Sequence, residues 1–226
     1  MVAIVLPLWA KDGGPERTMA ALQDPDDRAR MKREMPRERL ANNWLTNFTR
    51  PQNKPYDGKL LSDIAEMRHQ DPADALFDLL VEENLGISTV GLGTNPQTLP
   101  AFVSHPCGMI ASDAILFGEY PNPRTYGFFP IVLAEFVPAE KQLRLPEAIR
   151  KMTSFPAQRL GLPDRGLLRD GFKADIVVFN PKTVKTHATR EDPKHYPVGI
   201  EYVIINGVVV IDRGTNTGAL PGRALR

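Results

Sequence analysis

The 226-residue chain carries 28 Lys and Arg against 27 Asp and Glu, and 42% of it is hydrophobic. That length can bury a sizeable core in one domain or two, and the net charge of +1 excludes the broad basic field by which a protein grips nucleic acid or an anionic membrane. Cys107 is the single cysteine, so no internal disulfide can form and a reducing cytoplasm is the expected compartment.

In chain order, residues 1–10 are apolar but too short to span a bilayer. They lack the basic start of a secretory signal and contain Pro7. Residues 11–39 mix Ala20, Ala21, Leu22, Met31 and Met35 with many charges and predict one or two exposed helices, the second opening at Asp24-Pro25. A short strand is expected at 44–48, a turn-rich loop at 53–58 and a helix at 60–68. That helix places Leu61, Ile64, Ala65 and Arg68 on one face, with Ser62 as a candidate cap. Asp71-Pro72 starts another helix, in which Ala75, Leu76, Leu79 and Leu80 repeat at helical spacing. Residues 87–92 read as a strand. Gly91-Leu92-Gly93-Thr94-Asn95 reads as a strand-to-helix turn, because it has neither Gly-x-Gly-x-x-Gly nor a phosphate-loop lysine. Asn95-Pro96 begins a helix to about Val103 that Pro100 interrupts or ends. The apolar run Gly108-Met109-Ile110-Ala111-Ser112-Asp113 then reads as a buried strand. This alternation is the pattern of a parallel α/β sheet.

Helices are expected at 128–137 and 146–153, with a further turn at 157–160. Beyond Gly161 the style changes to strands with glycine turns, and Asn206-Gly207 between two β-branched runs predicts a type I′ hairpin. The expected organisation is therefore an α/β part over 1–161 and a small β part over 162–226, with an irregular tail from Asp212.

Asp113 is the leading candidate residue. A carboxylate at the C-terminal end of a barrel strand can ligate a metal or take a proton from water; an aspartate there can equally cap a turn. Arg124, in Asn122-Pro123-Arg124-Thr125-Tyr126-Gly127, suits two-point recognition of a carboxylate or simple bracing of a loop. Ser112 can bond to Asp113 or a neighbouring loop but lacks a nucleophile elbow, and Tyr126 reads as a packed ring. His69, His105, His187 and His195 form no His-x-His pair, no His-Glu-x-x-His helix and no cluster with Cys107, so solvent-exposed or structural roles fit them. The basic residues of 28–39 alternate with acids and read as a solvated helix face.

Several stretches resemble the C-terminal part of the amidohydrolase superfamily, and most closely its D-aminoacylases (N-acyl-D-amino-acid deacylases). They are Asp71-Pro72-Ala73-Asp74-Ala75-Leu76, Ala148-Ile149-Arg150-Lys151-Met152-Thr153-Ser154, Gly166-Leu167-Leu168-Arg169-Asp170-Gly171, 192–201 and Thr217-Gly218-Ala219-Leu220-Pro221-Gly222-Arg223. The resemblance implies the C-terminal part of a metal-dependent (β/α)8 barrel with a small β domain, and a zinc hydrolase that cleaves the amide of N-acyl-D-amino acids. It assigns Asp113 to general-base chemistry and to a place at the metal, and Arg124 to the substrate carboxylate. Two departures stand out: Ala111-Ser112-Asp113-Ala114 where the family has glycines around Ser-Asp, and Asn122-Pro123-Arg124 where it has His-Pro-Arg. The family's metal-holding histidines have no counterpart in this chain, which implies activity only with an N-terminal half, as a separate chain or otherwise, or association as a homo-oligomer. The alternatives are a non-catalytic remnant that serves as a binding module, and a relative acting on cyclic amides.

Overall fold

The computed structural model describes residues 5–35, 40, 42–91, 95, 97–116, 118–138 and 142–225. Its contacts divide the chain into two compact units, one of Met1–Gly93 with Ile115–Asn122, the other of Thr94–Ala114 with Pro123–Arg226. The expected turn at 91–95 and the ends of the 1–10 and 11–39 segments fall partly outside the described residues.

The first unit begins with α1 (Leu8–Lys11), α2 (Gly14–Gln23) and α3 (Pro25–Glu34). Asp24 caps α3 as its sequence predicts: its carboxylate accepts the Asp26 and Asp27 amides at 2.9 and 2.8 Å, with Pro25 in the first turn. The helices are less exposed than the charge density suggested, because Ala21, Leu22 and Met31 are fully buried or nearly so. The strand β1 (Trp44–Thr46) follows, then a 3-10 turn (Pro51–Tyr56), β2 (Lys59–Leu60), α4 (Leu61–Arg68), α5 (Pro72–Glu82) and β3 (Ser88–Val90).

Helix α5 organises this unit. Asp71 caps it through the Ala73 amide at 3.0 Å, and Ala75, Leu76, Phe77, Leu79 and Leu80 are wholly buried against Leu22, Met31, Leu45, Leu61 and Ile64. Each buried leucine contributes roughly 1.5–3 kcal/mol. The charges of its neighbours turn inward along its flanks: Arg28 meets Asp78 at 2.5 Å, Lys32 meets Asp74 at 2.6 Å and Arg68 meets Glu82 at 2.7 Å. That pairing is why a segment so rich in charge can pack. Ser62 does not cap α4; Leu60 holds the cap position without a side-chain bond, and Ser62 bonds to Asp63.

The expected parallel sheet is replaced here by an antiparallel one in the order β2-β1-β3, with Trp44 opposite both Leu60 and Val90. Through β3 the sequence alternation gives the element types correctly. It could not show that β1 and β3 run in opposite directions around the α4–α5 pair.

The second unit contains α6 (Leu99–Ser104), α7 (Arg124–Ile131) continuing into a π turn (Val132–Phe136), α8 (Leu145–Met152), α9 (Ser154–Arg159) and the strands β4 (Ile176–Phe179), β5 (Ile200–Ile205), β6 (Val208–Asp212) and β7 (Thr215–Asn216). Pro100 lies in the first turn of α6, where a missing amide costs nothing, instead of breaking the helix. Pro130 lies inside α7; it withholds an amide and crowds the preceding turn, and the helix widens immediately after it. Residues 108–113 form no strand. Ile110 instead donates its amide to the Lys151 carbonyl at 3.1 Å and buries its side chain with Val132, Leu143 and Ala148. A strand needs a partner ladder, and the described residues supply none there.

The sheet order is β4-β5-β6-β7, antiparallel throughout. The Asn206-Gly207 hairpin is present, with φ of 49° and 82°, as a type I′ turn requires. Its tip is tied down: Asp175 accepts the Asn206 amide at 2.8 Å, Arg165 donates to the Asn206 side chain at 2.8 Å, and that side chain donates to the Pro221 carbonyl at 2.9 Å. The tail is thus partly ordered, by this bond and by β7. Among the described residues every strand pair is antiparallel, and they do not close a barrel.

Candidate functional site

Asp113 and Arg124 meet. Arg124 donates to the Asp113 carboxylate at 2.9 Å, with the aspartate side chain 81% exposed and the arginine 38%. Both lie in the second unit. Arg124 is not on a loop, as the sequence suggested, but is the first residue of α7, with Pro123 at the cap and the Gly127 amide donating to the Pro123 carbonyl at 3.1 Å. Helical backbone at its base limits where the long side chain can reach.

Asp113 has φ +46°. Aspartate tolerates this left-handed conformation better than most residues, since its short polar side chain can satisfy itself locally. Ala111 and Ala114 are not among the positive-φ residues, so the alanines that replace the family's glycines meet no forbidden backbone angle. Tyr126 packs edge-on against Tyr196 with ring centroids 5.5 Å apart, which fits the packing role expected of it. One turn of α7 comes very close to its neighbour: a Cβ on Gly127 would lie 2.3 Å from the Thr186 hydroxyl.

The segment leading to Asp113 hangs from α8. Lys151 is 0% exposed, and its ammonium donates to the carbonyls of His105 and Gly108, the latter at 2.9 Å. Arg150 reaches the Pro106 carbonyl at 3.4 Å while forking the Glu147 carboxylate with two bonds of 2.8 Å. That guanidinium holds the Glu147 carboxyl below the usual range. In the sequence Lys151 stands only as one residue of the 148–154 motif. Its one local signal is its place three residues after buried Ala148, on the face where α8 turns inward.

His105 and His195 have hydrogen-bond partners close in sequence. His69 ends α4 in the left-handed conformation, His105 accepts the Cys107 amide on Nδ1 at 3.3 Å, and His195 pairs with Asp192 at 2.5 Å. Among the described residues no group of three or more His, Cys, Asp or Glu is arranged to hold a metal ion.

Comparison with known proteins adds the wider setting. A family model described as the amidohydrolase family matches residues 56–211, well over half the chain. An N-acyl-D-aspartate deacylase of Alcaligenes xylosoxydans xylosoxydans is 36% identical over 166 residues, which is 73% of this chain and 30% of that protein. An N-acyl-D-glutamate deacylase of the same organism is 41% identical over 122 residues, 54% of this chain and 25% of that one. The crystal structure of an N-acyl-D-glutamate deacylase from Bordetella bronchiseptica, complexed with zinc and a phosphonate mimic of the tetrahedral intermediate, superposes with a TM-score of 0.69 at 30% identity. That match covers 77% of this chain and 36% of the other. The chain therefore spans about a third or less of the curated relatives it matches.

Proposed function

This chain belongs to the amidohydrolase family, and we propose that it is the C-terminal portion of a zinc-dependent hydrolase that cleaves the amide bond of N-acyl-D-amino acids. The observation that carries this reading is the Asp113–Arg124 pair at 2.9 Å, which brings together a proton-accepting carboxylate and a carboxylate-binding cation.

The two side chains engage each other before a substrate arrives. A guanidinium presents its donors as a fork that fits one carboxylate at two points. An N-acyl-D-amino acid would bring its own α-carboxylate to Arg124 and displace Asp113. The freed carboxylate would accept a proton from the attacking water and return it to the departing amine, the exchange expected of a general base that then acts as an acid. Substrate binding and unmasking of the base would thus be one event.

Zinc does not fit the described residues of this chain by themselves. A zinc site needs three or four donors, those residues hold no such cluster, and the Asp113 carboxylate is already engaged by Arg124. The donors would come from polypeptide that the longer relatives possess.

The test is hydrolysis of N-acetyl-D-amino acids by this chain reassembled with the N-terminal portion of a deacylase relative. Asp113→Asn should lower kcat by a factor on the order of 10² to 10⁴. Arg124→Lys should raise KM at least about tenfold for carboxylate-bearing substrates and leave an amide lacking the carboxylate unchanged. Full activity of Asp113→Asn, or equal losses on both substrates with Arg124→Lys, would defeat these assignments.

A further inference from the structure

We propose that Lys151 is a positioning residue. Its buried ammonium, from the last turn of α8, fixes the turn at 105–108 and through it the segment that ends at Asp113.

The geometry is specific. The Lys151 side chain binds the carbonyls of His105 and Gly108, and the Lys151 main-chain carbonyl accepts the Ile110 amide. One residue of α8 therefore grips the incoming segment at three points, two through its side chain and one through its backbone. Arg150 adds a fourth at the Pro106 carbonyl. The turn is tight against these contacts, for a Cβ on Gly108 would stand 3.0 Å from the Phe102 carbonyl and 3.5 Å from the Lys151 ammonium. Ile110, held by its amide and by its place in the cluster with Val132, Leu143 and Ala148, is three residues from Asp113, roughly 10 Å of extended chain. What Lys151 fixes is the root from which the aspartate is presented.

A buried ammonium is a costly way to hold a turn. Burial of a charge is repaid only by strong, well-aligned bonds, and an apolar side chain of similar length would often stabilise such a position as well or better. Here the bonds are charge-assisted and cross more than forty residues of sequence, and the cation sits in the last turn of α8, where the helix dipole favours it. The arrangement trades bulk stability for a fixed path of the backbone between α8 and Asp113. The catalytic consequence rests on the deacylase reading; the positional one does not.

Amide hydrogen exchange on the purified chain tests the positional claim directly. In Lys151→Met, exchange of the Gly108 and Ile110 amides, bonded to the His105 and Lys151 carbonyls, should rise roughly tenfold or more, while the β5–β6 hairpin and α5 keep their wild-type protection. Lys151→Arg, which retains a cation and donors, should restore part of the protection. Unchanged exchange of the Gly108 and Ile110 amides in Lys151→Met, or a uniform rise across the second unit, would overturn the proposal. Should Lys151→Met fail to fold, Lys151→Gln, which keeps a polar tip but no charge, decides: faster exchange confined to the Gly108 and Ile110 amides supports the proposal, and wild-type or uniformly raised exchange overturns it. In the reassembled enzyme Lys151→Met should lower kcat about tenfold with KM within about twofold, the signature of a misplaced acid–base group; a rise in KM alone would contradict it. If no assembled enzyme turns over, wild type included, the deacylase reading fails, and hydrogen exchange still decides the role of Lys151.

Discussion

Replacing Glu83 by alanine should be among the most damaging single changes in the first unit. Glu83 follows α5 and is 5% exposed. Its Oε2 accepts the Thr49 amide at 2.8 Å and the Thr49 hydroxyl at 2.7 Å; its Oε1 accepts the Arg50 amide at 3.1 Å and the Asn53 side chain at 2.9 Å. One carboxylate thus satisfies four donors around the start of the 3-10 turn. Leaving a buried donor without its acceptor costs roughly 1–3 kcal/mol, and water can reach part of this cluster, so the expected loss for Glu83→Ala is about 3 kcal/mol. Glu83→Gln keeps one acceptor oxygen but turns an amino group toward donors, and should cost about 2 kcal/mol. Urea unfolding followed by tryptophan fluorescence measures this cleanly, because both tryptophans, Trp9 and Trp44, belong to the first unit. The pH dependence has a definite sign. Burial raises the Glu83 pKa, but the bonds from Thr49, Asn53 and Arg50 outweigh it, and the net value lies below the ordinary 4.5. A depressed carboxylate pKa contributes stability that is complete above the unfolded-state value and lost as pH falls through the folded one. The gap between wild type and Glu83→Gln should therefore be widest above pH 4.5 and narrow below it. Asp57 runs the other way, its pKa raised by burial against an opposing bond from the Asn47 amide, but it is common to both proteins and cancels. A loss under about 0.5 kcal/mol for Glu83→Ala, or a gap that widens in acid, would refute the argument.

Two further changes probe the local structure. Asp24→Ala removes both cap bonds of α3 and should lower stability by about 1 kcal/mol, read from the same urea transition. Gly199 and Gly171 have φ of +76° and +83°, yet a Cβ on Gly199 would sit 2.5 Å from the Val184 nitrogen while one on Gly171 meets nothing within 4 Å. Gly171→Ala should cost about 1 kcal/mol from its backbone angle, and Gly199→Ala clearly more, by thermal unfolding of the two variants side by side.

Local chemistry made some of this legible and not the rest. The α5 apolar face, the caps at Asp24 and Asp71, and the Asn206-Gly207 turn were readable because each depends on residues within a few positions. The resemblance to the D-aminoacylases, drawn from short stretches such as 148–154, agrees with the deacylases found by comparison. Strand direction was not readable, because the antiparallel pairing of Trp44–Thr46 with Ser88–Val90 joins residues more than forty positions apart. The 108–113 run has strand composition, but composition does not provide the neighbour that a ladder requires. Arg124 began a helix four residues earlier than the apolar pattern indicated, since the signal lay in Pro123 and not in periodicity. The resemblance assigns separate roles to Asp113 and Arg124 and does not include the bond between them. The grip of Lys151 on carbonyls more than forty residues away leaves almost no trace in sequence.

The β4–β7 sheet carries a consequence for handling the molecule. Ile176-Val177-Val178-Phe179 and Val208-Val209-Val210-Ile211 are uncharged, proline-free and, apart from Phe179, β-branched; Val177, Val178, Val208 and Val209 are all exposed, and β4 is an outer strand of its sheet. Such segments template further strands from other copies. The purified chain should accordingly have a shelf life set by its concentration, with seeded, lag-phase assembly into fibres, and one lysine at Val177 should lengthen the lag more than the same change on any helix.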